Sequence, residues 1–92
     1  MKVRFYATLR RIVGAKTVTF SIPEDVTVRQ LVAEIVRQYP GLRAALLDES
    51  GELHSYVHVF VNGRDAPYCE DGLETVLTAN DTIDIFPPVA GG

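Results

Sequence analysis

Two stretches near the start of the chain alternate between hydrophobic and polar residues. The stretches are residues 2–8 and 16–22, and a period of two is typical of half-buried strands. Their inward-facing sets are Val3, Phe5 and Ala7 in the first, and Val18, Phe20 and Ile22 in the second. Residues 10–15 are predicted to be a connection that turns at Gly14. The pattern therefore predicts an antiparallel hairpin.

A helix is predicted after Pro23, because the hydrophobic residues then recur at helical spacing. Thr27 and Gln30 have the spacing of a capping box, in which each side chain bonds to the other residue's backbone N–H. The apolar face comprises Val28, Leu31, Val32, Ile35 and Tyr39. Pro40-Gly41 ends this main helix, and residues 42–47 are predicted to add a short helical turn before a polar loop at 48–53.

The second half of the chain returns to a period of two. Residues 56–61 form the third predicted strand, with Val57, Val59 and Val61 inward. Asn62-Gly63 favours a two-residue hairpin into a short strand at 64–67. Residues 68–80 are predicted to be a loop or a single helical turn, in which the side chains of Leu73, Val76 and Leu77 are buried in the core. The last strand is 82–86, with Ile83 and Ile85 inward and Asp84 and Phe86 outward.

This order of elements predicts an α+β fold in which a mixed sheet of four to five strands packs on one main helix. The helix serves as the crossover that allows non-consecutive strands to pair in parallel. One face of the sheet packs on the helix, and the other meets solvent or a partner.

Composition fits one soluble domain and excludes several classes of function. The chain has 92 residues, of which 47% are hydrophobic and 23% are charged, with a formal charge of −3. An acidic protein of this kind is not expected to bind nucleic acid as its main partner. We also expect no membrane span and no signal peptide, and hence a cytoplasmic location. One cysteine, Cys69, allows no internal disulfide and no multi-thiolate metal site.

Charge is divided unevenly between the two halves. Residues 1–43 hold eight of the nine basic residues and three of the twelve acidic ones, so they carry +5, whereas residues 44–92 carry −8. One interpretation is a solvated surface on which the two signs interleave after folding. The other is an acidic flank beside the C-terminus that steers a basic partner.

The last six residues carry the main candidate chemistry. Pro87 and Pro88 end the strand and favour a stiff, extended exit, and the tail then narrows through Val89 and Ala90 to Gly91 and Gly92. At about 3.3 Å per residue, residues 87–92 reach roughly 20 Å, and glycine allows close approach to another surface. We therefore divide the chain into a domain at 1–86 and a flexible diglycine tail at 87–92.

Such a tail is suited to entering the active site of another protein. Its carboxylate would need activation, most plausibly by ATP, and this chain has neither a phosphate-binding glycine motif nor an acid–base dyad at readable spacing. We therefore predict no catalytic residue, with the chain acting as substrate or carrier. The alternative is an ordinary frayed terminus.

Several fragments, in order, resemble the ubiquitin-like β-grasp sulfur carriers of the MoaD/ThiS family, and especially their small archaeal modifier branch. The fragments are Tyr6-Ala7-Thr8-Leu9-Arg10, Val13-Gly14, Thr27-Val28-Arg29-Gln30-Leu31, Gly51-Glu52-Leu53-His54, Val59-Phe60-Val61-Asn62-Gly63 and residues 85–92. The most specific is the ending Phe86-Pro87-Pro88-Val89-Ala90-Gly91-Gly92. The match spans nearly the whole chain.

The resemblance implies a β-grasp fold and a function for the tail. Gly92 would be adenylated by an E1-like adenylyltransferase, which uses ATP, and converted to a thiocarboxylate; residues 87–91 would be the recognition strand. The sulfur would go to an acceptor enzyme such as the large subunit of molybdopterin synthase. Thiazole, cysteine and tRNA thiolation pathways are the other destinations. Some family members are instead joined through this glycine to lysines of target proteins.

In a β-grasp sheet the first and last strands are neighbours, and the third strand flanks the last. The outward residues Tyr6, Tyr56, His58, Phe60 and Phe86 would then share one face as a partner-docking patch. The alternative is scattered surface aromatics. His54 and His58 do not predict a metal site, because four residues along a strand span about 13 Å. We expect no bound cofactor.

Overall fold

The computed structural model describes residues 1–66 and 72–87, and in this part of the chain a mixed five-stranded sheet packs against one long helix. The strands are β1 (Lys2–Phe5), β2 (Thr17–Thr19), β3 (His58–Val61), β4 (Arg64–Asp65) and β5 (Thr82–Phe86). The helices are α1 (Thr8–Val13), α2 (Val28–Gln38) and α3 (Arg43–Leu46), with 3₁₀ turns at Pro40–Leu42 and Gly72–Glu74. This arrangement confirms the predicted α+β fold.

The strand order is β2-β1-β5-β3-β4, so the first and last strands lie side by side at the centre. β1 and β5 are parallel, with Val3 opposite Ile83 and Phe5 opposite Ile85, and the other pairs are antiparallel. A parallel pair needs a crossover connection, and α2 lies on the path between these two strands. The predicted crossover role of the helix is confirmed.

The main helix begins at the predicted capping box. The Thr27 hydroxyl accepts a hydrogen bond from the Gln30 backbone N–H, and the Gln30 side chain accepts one from the Thr27 N–H. One face of α2 is buried against the inner face of the sheet, to which Phe5 and Ile85 contribute. The buried residues of α2 are Val28, Leu31, Val32, Ile35 and Val36. The core therefore lies between α2 and the sheet.

The segment after β1 differs from the prediction. Residues 10–15 were predicted to be a connection that turns at Gly14, but the segment forms α1, which ends at Gly14 in the left-handed conformation with φ 84°. The Gly14 N–H donates to the Arg10 carbonyl. Within α1, Leu9 is the buried residue, so the helix has too few inward positions to produce a helical period in the sequence. Gly14 is thus a helix cap rather than a simple turn residue.

Two further predictions need correction. Val76 was predicted to be buried, but it is 52% exposed. Its backbone forms an isolated β-bridge with Thr27. Of the two other residues predicted to be buried in this segment, Leu77 is buried and Leu73 is half-buried. The predicted strands at 2–8, 16–22 and 56–61 are also too long at their ends. By contrast, the Asn62-Gly63 hairpin is confirmed, because both residues have the positive φ that its turn requires.

No helix in the described ranges is both long and apolar enough to cross a membrane. Residues 67–71, which include Cys69, and residues 88–92 of the predicted tail lie outside the part that the structure describes.

We expect the capping box of α2 to contribute measurably to stability. Thr27→Ala should lower the free energy of unfolding by about 1 kcal/mol, because the Gln30 N–H loses its acceptor. Chemical denaturation with an unchanged slope would measure this loss. Thr27→Ser keeps the hydroxyl and should retain most of the stability; equal loss in both variants would contradict the capping role.

Candidate functional site

The candidate site lies on the outer face of the sheet, where β5 leads into the tail. The register places Phe86 directly opposite His58 on β3. On its other side, the Tyr6 backbone N–H donates to the Ile85 carbonyl, which extends the β1–β5 pairing by one residue. Because side chains alternate between faces, Tyr6, Phe86 and His58 emerge on the same side, away from α2.

Four of the five predicted docking residues form a continuous row. The rings of Tyr6 and Phe86 are stacked, with centroids 4.1 Å apart and an interplanar angle of 12°. Phe60 meets Phe86 edge-on at 5.4 Å, and His58 lies 6.2 Å from Phe60. We call Tyr6, Phe86, Phe60 and His58 the aromatic row.

The aromatic row differs in two respects from the predicted patch. Its three carbocyclic rings, those of Tyr6, Phe60 and Phe86, are half-buried, because each covers part of the next. Tyr56 is 64% exposed and makes no ring contact with the described residues. It precedes β3, where regular alternation has not yet begun, so it does not join the row.

An acidic residue beneath the row was not singled out from the sequence. Asp84 lies on β5 and is only 8% exposed, although it points to the outer face. Its carboxylate accepts two hydrogen bonds from Arg4, at 2.5 and 2.9 Å, and one from the Tyr6 hydroxyl at 2.8 Å. A buried carboxylate requires such compensation, and the Arg4–Asp84–Tyr6 network supplies it.

The sequence did contain a signal for this network. Arg4, Tyr6 and Asp84 all occupy outward positions on the two strands predicted to be neighbours, and Arg4 lies directly opposite Asp84. The interpretation of Asp84 as an ordinary outward polar residue missed the charge opposite it. Cross-strand pairs of opposite charge are a normal source of sheet stability.

The network shifts the acid–base properties of two side chains. The hydrogen bond to Asp84 raises the pKa of Tyr6, because the phenolate would lose this bond and would face a carboxylate. The same carboxylate raises the pKa of Arg4 through its hydrogen bond and charge. The network therefore fixes Tyr6 as a neutral donor, and the ring of Tyr6 in turn supports Phe86.

His58 is tethered at the end of the aromatic row. Its Nδ1 lies 2.8 Å from an oxygen of Asp65 on β4. Within the described ranges, no cluster of three or more His, Cys, Asp or Glu side chains could hold a metal ion. The arrangement at His58 thus orients a ring on a surface.

Of the predicted tail, the structure describes Pro87, which is half-buried and directly follows Phe86. Pro88, Val89, Ala90, Gly91 and Gly92 lie outside the described residues. The aromatic row therefore lies across the end of β5 that leads into Pro87.

We expect Tyr6 to titrate above the usual tyrosine pKa and Asp84→Asn to lower its pKa. The contribution of this shift to stability is present below the ordinary tyrosine pKa and is lost as pH rises through the pKa of Tyr6 in the folded state. Ring NMR signals followed against pH, assigned with Tyr6→Phe, would measure the pKa. Asp81→Asn, at the other end of β5, should leave it unchanged; an equal effect of both variants would contradict the network.

The sequence profile of the ThiS family matches residues 3–92 of this chain. The small archaeal modifier protein 3 of Haloferax volcanii is 38% identical over 92 residues, covering 100% of this chain and 98% of that protein. The sulfur carrier protein CysO of Mycobacterium tuberculosis is 34% identical over 68 residues, or 72% of each chain. The human molybdopterin synthase sulfur carrier subunit is 27% identical over 92 residues, covering 100% of this chain and 93% of that subunit.

Solved structures show the same fold. The crystal structure of the Haloferax volcanii modifier SAMP1 superposes with a TM-score of 0.87 at 30% identity, covering 99% of this chain and 97% of that one. A chain of the Amycolatopsis orientalis BexX/CysO complex superposes with a TM-score of 0.78 at 32% identity, covering 99% of this chain and 98% of that one. With the family profile matching nearly the entire sequence and these structures sharing its ubiquitin-like β-grasp fold, the chain belongs to the ThiS family of small carrier and modifier proteins.

Proposed function

We propose that this protein is a sulfur carrier whose reactive group is the carboxylate of Gly92. The observation that carries the proposal is the family match, which extends to residue 92 and so includes the diglycine. The aromatic row at the root of the tail supports it, because a carrier must present both a reactive end and a surface that its enzymes can recognise.

The chemistry requires a partner enzyme. A carboxylate is a poor electrophile, so an E1-like adenylyltransferase would join Gly92 to the AMP portion of ATP and release pyrophosphate. A sulfur nucleophile would then displace AMP and leave a thiocarboxylate. In this proposal the chain supplies no catalytic residue and binds no cofactor of its own, and the ATP is held by the partner. Gly91 and residues 87–90 would lie in the partner's channel, where the absence of a side chain at Gly91 permits close approach.

The acceptor enzyme that we propose is the large subunit of molybdopterin synthase. The full-length similarity to the human molybdopterin synthase sulfur carrier subunit supports this choice. The similarity to the sulfur carrier protein CysO supports a second candidate acceptor, an enzyme of cysteine synthesis. Reconstitution with each acceptor would distinguish them, because only the true one should consume the thiocarboxylate at a catalytic rate. The location that we propose for this function is the cytoplasm.

The second candidate function is protein modification. The similarity to the small archaeal modifier protein 3 over the full length of the chain favours it. An amine nucleophile would displace AMP from the same adenylate, and Gly92 would end in an isopeptide bond to a lysine of a target protein. Gly-Gly remnants on lysines of cellular proteins, dependent on Gly92, would establish this function.

We expect Gly92 to be the modified residue. Incubation with the activating enzyme, ATP and a sulfur source should raise the intact mass by the difference between sulfur and oxygen. A chain lacking Gly92 should show no mass change, whereas Lys2→Arg, a distant substitution, should behave as the wild type. A fully active chain without Gly92 would exclude the carrier mechanism.

We also expect the aromatic row to bind the partner. Phe60→Ala should raise KM for activation, because the substitution removes a ring beside Phe86. Circular dichroism should show a retained fold. Tyr56→Ala removes an exposed aromatic outside the row and is the matched control. Equal KM values for the two variants would contradict a docking role for the row.

A further inference from the structure

The basic residues of the chain fall into two groups, those that have a carboxylate partner and those that form no ion pair with the described residues. Arg4, Arg29 and Arg37 each have a carboxylate partner: Asp84 for Arg4, Glu52 and Glu74 for Arg29, and Glu34 for Arg37. The first two arginines therefore join the basic half of the sequence to its acidic half. The six others are exposed and form no ion pair with the described residues: Lys2, Arg10, Arg11, Lys16, Arg43 and Arg64. Three of the six, Arg10, Arg11 and Lys16, are close together in the sequence.

These three cations lie at the end of the sheet where the central strands β1 and β5 finish and the tail begins. β1 and β5 are parallel and end together, and α1 begins two residues after Tyr6. The Arg10 Nε lies 3.4 Å from the Phe5 carbonyl at the end of β1. The Lys16 carbonyl accepts from the Phe5 N–H at 2.7 Å, so Lys16 lies two strands from Ile85, or about 10 Å.

No carboxylate in the described part of the chain forms an ion pair with this group. Residues 1–23 contain five basic residues and no acidic one. On the outer face near the tail, the carboxylate of Asp84 is engaged by Arg4 and Tyr6, and that of Asp65 by His58. Ile12, which is 44% exposed, adds an apolar side chain between Arg11 and Lys16 in the sequence. We call Arg10, Arg11 and Lys16 the basic corner.

We propose that the basic corner is a second docking surface, which binds an acidic surface of the enzyme that activates Gly92. This inference rests on the proposed function and adds the chemistry of the partner. The corner lies on the β2 side, at the end of the sheet where β5 leads into the tail, so a partner that holds the tail can also contact the corner. The sign is opposite to that of the acidic steering flank considered from the sequence, because the corner is basic.

Electrostatic docking of this kind affects mainly the rate at which the two proteins associate. Complementary charge increases the association rate and orients the two proteins, and the effect weakens as salt screens it. Once the tail is seated, the reacting atoms would lie well away from the corner. The corner should therefore affect KM rather than kcat, and its effect should depend on ionic strength.

The test is a charge-reversal pair with a matched control. Arg10→Glu/Arg11→Glu reverses two cations of the corner, while Lys2→Glu/Arg64→Glu reverses two exposed cations elsewhere. Lys2 lies at the opposite end of β1, and Arg64 follows the hairpin on the outermost strand β4. The two variants carry the same net charge, so a difference between them reports position. Thermal unfolding of each would verify the fold.

The assay is Gly92-dependent pyrophosphate release by the activating enzyme with ATP, measured at low and high salt. We expect the corner variant to raise KM at least roughly tenfold at low salt, with kcat retained and the difference shrinking at high salt. The control variant should remain within about twofold of the wild type. Equal KM values for the two folded variants would overturn the basic corner as a docking surface.

Two further outcomes separate the proposals. If the wild type supports no Gly92-dependent pyrophosphate release, the carrier function fails and the basic corner fails with it. If release is normal and only the corner proposal is wrong, wild type and corner variant will share one KM at both salt concentrations. Loss of binding to bulk tRNA in the corner variant, with an unchanged KM, would instead assign the corner to nucleic acid.

Discussion

The parallel pairing of β1 with β5 is the constraint on which the rest of the molecule depends. It brings the beginning of the sequence against residues 82–86 at the centre of the sheet, and it requires the intervening chain to cross over through α2. Asp84 reinforces this pairing on the outer face, because its carboxylate bonds to Arg4 and Tyr6 of β1. The same carboxylate supports the Tyr6 ring under Phe86, so the central pairing and the root of the tail share one set of contacts.

This arrangement separates the tasks of the two sheet faces. The inner face, with Val3, Phe5, Ile83 and Ile85, packs on α2 and provides the apolar burial that stabilises a small domain. The outer face carries half-buried rings that hold one another in place, so they are positioned before a partner arrives. A pre-organised surface loses less side-chain entropy on binding than an array of free rings. In the proposed function, this arrangement lets the protein present one small, ordered patch to a partner enzyme.

Much of the fold could be predicted because its elements have strong local signals. The alternation in β1 and β5, the Thr27–Gln30 capping box and the Asn62-Gly63 turn each have one favoured structure. The helix α1 could not be predicted from periodicity, since it is six residues long, fewer than two turns, with Leu9 as its buried residue. Val76 was misassigned because a hydrophobic residue between Leu73 and Leu77 in sequence need not face the core where the backbone is irregular.

The candidate site was predictable to the extent that strand neighbours could be assigned. Placing β3 beside β5, and β5 beside β1, was enough to group Tyr6, His58, Phe60 and Phe86. Alternation alone could not show that Tyr56 precedes the regular strand, nor that Asp84 is buried. The division of arginines into paired and unpaired also required coordinates, because Arg29 meets Glu52 and Glu74 only through tertiary packing.

The central position of β5 also has a consequence for biosynthesis. A chain emerging from the ribosome can form the β1–β2 hairpin and α2 early, but β1 and β3 have no common neighbour until residues 82–86 appear. Contacts of such long sequence separation form slowly and close the sheet late. An unfinished nascent chain would therefore expose its apolar inner face and would lack the assembled aromatic row, because Phe86 belongs to the last strand.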